Sequence, residues 1–178
     1  MPGVYGNSWL HLPTDWLVAL ATSDLRLWAY GLRAVYGTTR FVHLLAMSGF
    51  LGLLLLLEVL RLGAFPGVTA APVRRPLLTL MNGAFAVAVA SGVLLFLYDP
   101  IGVGLHTMFL PKLLLVAFGL VHALYVERIA LMRRPRWRRA SAAAALAIWA
   151  LVIACSTWNA VERPLNPADI HRADPRAG

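Results

Sequence analysis

FVHLLAMSGFLGLLLLLEVL, residues 41–60, is the stretch that decides the fold. A helix rises about 1.5 Å per residue, so these residues cover about 30 Å, the thickness of a bilayer's hydrocarbon layer. The stretch carries a single carboxylate, Glu58 near its end, and a single imidazole, His43, one turn in. Segments 77–98, 109–131 and 140–161 read the same way. The second and fourth are free of charge, while the third has Lys112 near its start and Glu127 and Arg128 near its finish. The expected fold is therefore all-α: an integral membrane antiparallel four-helix bundle with short connections.

Composition agrees. Of 178 residues, 60% are hydrophobic and 13% charged, with a mean hydropathy of +0.70. Soluble domains carry about 25% charged residues, so too little polar surface is present here to cover a globule. The net charge of +8 does not point to nucleic acid, because the arginines collect beside the apolar segments and no base-stacking module accompanies them. The lone Cys155 excludes an internal disulfide and a thiolate metal motif, and reads as a small buried thiol. The N-terminus lacks a positive region and a long apolar core, so it does not read as a signal peptide.

Small residues recur at four-residue spacing: Ala84, Ala88 and Gly92, then Ser48 and Gly52, then Gly119 and Ala123. That interval lets helix backbones approach closely in lipid. Arg61, Arg74 and Arg75 mark the first connection, and Arg128, Arg133, Arg134, Arg136, Arg138 and Arg139 mark the third. The positive-inside rule puts both in the cytoplasm and both termini outside, with the arginine run open to anionic lipid or a partner as the alternative. Residues 1–40 form an N-terminal interfacial segment. Within it, Trp16, Trp28, Tyr30 and Tyr36, mixed with Asp24, Arg26, Arg33 and Arg40, predict one or two amphipathic helices on the outer surface, with Ser23 as an N-cap. Residues 41–162 form the transmembrane domain, and 163–178 a flexible polar tail.

Ionisable groups at membrane depth are costly and mark candidate sites. Antiparallel threading gathers His43, His106, Lys112, Asn159, Tyr98 and Asp99 in the outer half, with Thr107 available to cap the third helix and Pro111 tolerated in its first turn. His122 lies about 15 Å deeper than Lys112 by helix rise, where Asn82 could approach it. Imidazoles on facing helices are axial ligands for haem b, and depth pairs His43 with His106 better than with His122. The alternative is a quinone or metal-ion site in which Lys112 supplies charge and metal ligation falls to His43 and His122. Against both stands a structural reading in which each polar group only locks helices together and Lys112 snorkels outward. His43 shares the Met47–Phe50–Leu54 stripe, which could line a pocket, and so favours function. Glu58 is spaced to pair with Arg61. No paired catalytic carboxylates, Cys–His nucleophile or phosphate loop is present, and Gly102 and Gly104 belong to a turn.

The segments RFVHLLAMSGFLGLLLLLEVLRLG, ASGVLLFLYDP and FLPKLLLVAFGLVHALYVER resemble a group of uncharacterised bacterial four-helix membrane domains. More distantly they are similar to the copper-resistance protein D membrane domain and to HemJ-type protoporphyrinogen oxidases. The resemblance covers residues 25–162 and rests on His43, on Ser91 and Gly92, and on Lys112. It implies a bacterial inner-membrane protein in contact with the lipid bilayer and with other membrane subunits. The HemJ-type relatives imply haem b held by His43, with Lys112 and His122 following their third-span pattern. The copper-resistance relatives imply copper passage, although Met47, Met81, Met108 and Met132 are scattered and an arginine run follows the third span.

Overall fold

A computed structural model describes residues 12–65, 71–125 and 134–161. Among these the chain is helical without strands. Two short helices, α1 (Thr14–Ala21) and α2 (Asp24–Gly31), and a 3-10 turn (Arg33–Val35) precede α3 (Tyr36–Leu62) and α4 (Ala71–Tyr98). A short α5 (Pro100–Gly104) leads to α6 (Phe109–Tyr125), and α7 (Pro135–Val161) closes the described chain. Three helices, Tyr36–Leu62, Pro72–Tyr98 and Pro135–Val161, are long and apolar enough to cross a membrane. The described part of α6 has 17 residues, and the remainder of the expected third span lies outside the described residues. So do the tail expected at 163–178 and, of the arginine run, Arg128 and Arg133.

Each long helix starts before its apolar stretch does. α3 begins at Tyr36, inside the segment read as interfacial, where Thr39 Oγ1 bonds back to the Val35 carbonyl at 3.0 Å. It ends at Gly63, whose φ of +79° lets the Gly63 and Ala64 amides turn back onto Leu60 and Val59. α7 starts with Pro135, a residue suited to a first turn because its missing N–H would find no partner there. α4 starts ahead of Pro76, whose ring falls in the second turn.

Residue pairs across the helices run in opposite order. His43 meets Ser91 while Gly49 faces Ala84, so α3 and α4 are antiparallel. Met108 meets Asn159, Gly119 meets Trp149, and His122 meets Ser141, so α6 and α7 are antiparallel too. Phe50 packs on Trp149 and Gly63 lies beside Arg139, giving the same sense for α3 and α7. Among the described residues these three pairs pack closely along their lengths, whereas α4 and α6 do not, which leaves that side of the array the more open. The two helices meet through their outer ends, where the Phe96 and Phe109 rings stack 5.3 Å apart.

The core is a cluster of Phe50, Leu54, Leu57, Met81, Trp149 and Val152. Phe50 stands edge-on to Trp149 with centroids 4.6 Å apart and touches Phe85 at 5.1 Å. Gly119 is the counterpart of this bulk: a Cβ there would lie 3.2 Å from the Trp149 ring. The Ala84–Ala88–Gly92 stripe faces α3 as expected, whereas Ser48 and Gly52 are exposed. Their positions fall about half a turn round α3 from Phe50, which explains why they miss the interior. Of the third pair, Gly119 is buried and Ala123 is exposed.

The N-terminal helices lie across the end that carries α5. Ser23 caps α2 by accepting from the Arg26 amide at 3.3 Å. Leu17 is fully buried against Gly104, and the Leu12 amide donates to the Gly104 carbonyl. Trp16 stacks on Phe96 at 6.2 Å, and the Tyr98 hydroxyl donates to the Leu32 carbonyl at 3.2 Å. Trp16, Leu25, Leu27 and Trp28 remain exposed. Gly119→Val is expected to lower thermal stability by about 2 kcal/mol through overpacking against Trp149. Gly52→Ala, in open space, should be nearly neutral, and thermal unfolding in detergent measures both.

Candidate functional site

His43 lies near the start of α3, against α4. Its Nδ1 is 2.9 Å from the Ala88 carbonyl oxygen and 3.2 Å from Ser91 Oγ. A carbonyl can only accept, so in the neutral ring Nδ1 carries the proton and donates. Ser91 Oγ is free to receive a share of it because its own hydrogen goes to the Val87 carbonyl at 2.6 Å. Nε2 is thereby left with its lone pair, and among the described residues no protein group donates to it. Gly92 makes this placement achievable: a Cβ there would lie 3.0 Å from His43 Cε1.

Lys112 projects from the first turn of α6. Its Nζ sits over the Phe109 ring, 4.9 Å from the centroid. Phe109 in turn continues the stack through Phe96 to Trp16, so α6, α4 and α1 share one aromatic column. The ammonium is within electrostatic reach of the His43 ring on α3 and of Cys155 on α7. Among the described residues no carboxylate is bound to it. His43, near the start of α3, and Lys112, in the first turn of α6, therefore lie at the same end of the helix array.

The other members of the expected outer cluster have separate structural duties. Asn159 Oδ1 accepts from the Met108 amide at 3.1 Å, so α7 secures the start of α6. Tyr98 is engaged with Leu32 and packs edge-on to Tyr36 at 5.3 Å. Asp99 caps α5 by accepting from the Gly102 amide at 2.9 Å, and is exposed. His106 is half-buried in the turn between α5 and α6, where its carbonyl accepts from the Phe109 amide. It lies at the same end as His43.

His122 does not join them. Its Nε2 is 3.2 Å from Ser141 Oγ on α7, and it lies within electrostatic reach of Arg61. Arg61 is eighteen residues along α3 from His43, about 27 Å by helix rise, so His43 and His122 do not share a ligand. Asn82 is exposed on α4, and the partner of His122 is Ser141 instead. Close by, the buried Glu58 takes two hydrogen bonds from Arg61 Nη1, at 2.9 and 3.2 Å, confirming the pairing expected from their spacing. Among the described residues no group of three or more His, Cys, Asp or Glu side chains could hold a metal ion.

Sequence reasoning missed that Ala88 and Ser91 hold His43. Ser91 and Gly92 were a usable signal for it, since a small pair on a packing stripe leaves room for a ring. The chain matches no protein-family model, no curated protein and no solved structure. In ¹⁵N spectra of ring-labelled protein, His43 should show a protonated Nδ1 and an unprotonated Nε2. Gly92→Val should displace the ring and erase that pattern, and the opposite tautomer in the wild type would contradict the geometry.

Proposed function

We propose that this chain is a four-helix bundle of the bacterial inner membrane, with both termini periplasmic, serving as a redox subunit in which His43 would hold haem b. The observation that supports this most is the fixed ring of His43. A metal-bound imidazole usually donates its other N–H to a carbonyl or carboxylate, and the Nδ1–Ala88 bond gives His43 that arrangement. The donor set fits the group: a lone pair on Nε2 for the iron and the Lys112 ammonium for a propionate. His106, at the same end, is the candidate second residue that would hold the group, and His122 is set aside because it pairs with Ser141. When bound, the haem would supply one-electron chemistry. The protein's part is to hold the imidazole, to exclude water behind the aromatic column, and to offset negative charge.

The resemblance stated for residues 25–162 supports the same reading through His43, Ser91, Gly92 and Lys112. A quinone head group is the second reading, favoured by the open side between α4 and α6. Lys112 would donate to a quinone oxygen, and a quinol hydroxyl would donate to Nε2. Metal-ion passage gains no support from the described residues.

Detergent-purified protein should show a reducible Soret and α-band spectrum that is lost in His43→Ala and weakened in Lys112→Met. A colourless protein that retains quinone, with retention lost in Lys112→Met, would select the quinone reading. A stable protein that binds neither would leave a cofactor-free scaffold. For topology, Arg136→Cys in a Cys155→Ser background should resist an impermeant maleimide applied to intact cells. Ready labelling would reverse the orientation.

A further inference from the structure

Asn82 lies on α4 seven residues beyond Arg75, about 10 Å into the apolar part of the helix. It is exposed, and among the described residues no group bonds its carboxamide. Its side chain is too short to reach a headgroup from that depth. Neither neighbour bonds it among the described residues: α3 packs on the opposite flank of α4, through Met81, Ala84 and Ala88, and α6 does not pack closely along α4. A bare carboxamide facing hydrocarbon leaves two donors and an acceptor unmet, which lipid cannot remedy.

We propose that Asn82 is the centre of a self-association surface on which α4 packs against α4 of a second copy of this chain. Two features commit the surface to that occupant. Copies inserted the same way place their Asn82 residues at one depth automatically, whereas a foreign helix would need a matching polar group at that level. A carboxamide also both donates and accepts, so it is complementary to itself across a two-fold axis along the membrane normal. The surrounding face allows close approach. Thr79, Gly83, Ala86 and Ala90 are exposed beside Asn82, and Gly83 has open space around it. Their spacing of three and four residues puts them on one side of the helix. Small side chains there let backbones close enough for the amides to meet.

The proposal rests on the membrane reading and needs no ligand at His43, so the two can fail separately. The test is energy transfer between copies of the full chain carrying donor or acceptor fluorophores at the C-terminus, in liposomes of increasing lipid-to-protein ratio. Wild type should self-associate, and Asn82→Gln should retain this. Asn82→Val should weaken association by roughly tenfold, about 1.4 kcal/mol, and Ala86→Leu should weaken it too. Because Asn82 is exposed and unbonded, Asn82→Val should fold, and an unchanged thermal unfolding profile checks that. Wild type that stays monomeric at every ratio, or Asn82→Val that associates as tightly as wild type, overturns the proposal.

Discussion

The hydrogen bond from the His43 ring to the Ala88 carbonyl sets the terms for the rest of the outer half. In an apolar surrounding an imidazole has to place its N–H, and the partner it finds is a backbone oxygen of the next helix. That demand draws α3 against α4 at one level and requires Gly92 to leave space for the ring. It also has a chemical result. Using Nδ1 for cohesion releases Nε2 from structural duty, so the side chain that ties two helices together is also the one that offers a lone pair to the interior.

Size complementarity does comparable work in the apolar middle. Trp149 is too large for four helices at equal spacing. It fits because Gly119 recedes on α6 while Phe50 and Phe85 meet its faces and edges from α3 and α4. The array therefore closes firmly along α4–α3–α7–α6 and leaves α4 and α6 apart. Among the described residues an aromatic column bridges the two at the end that carries α5, and Lys112 rests on its last ring. The open side and the unpaired ammonium thus come from one packing arrangement.

What the sequence made legible was whatever depends on local spacing. The apolar runs showed the long helices, the three-residue offset showed Glu58 with Arg61, and Ser23 before a charged turn showed a cap. The stripe of Ala84, Ala88 and Gly92 gave the face that meets α3. Helix starts were not legible, because they fall in polar flanks governed by Pro135, by Pro76 and by the Val35–Thr39 bond, outside any apolar window. The membership of the outer cluster was not legible either. Depth alone gathers six polar residues, but hydrogen bonds between elements draw Asn159 to α6 and Tyr98 to Leu32, while Asp99 is held locally as the cap of α5. The first two assignments depend on helix rotation, which a linear pattern does not carry.

The two ends of the structure answer the same constraint differently. At the end that carries Glu58, this carboxylate has Arg61 and His122 has Ser141, so these two polar groups are matched by complementary ones. Such pairs hold helices in register and leave little over for a ligand. At the outer end the matching stops short: His43 uses one nitrogen and Lys112 has an aromatic face where a carboxylate would be expected. A ring face stabilises an ammonium by a fraction of what a desolvated counter-ion gives, so this arrangement holds charge without neutralising it. Polar capacity left over inside an otherwise apolar wall is what separates a binding region from a helix lock. That difference is what supports the proposed site at His43 and Lys112 over one at His122 and Ser141.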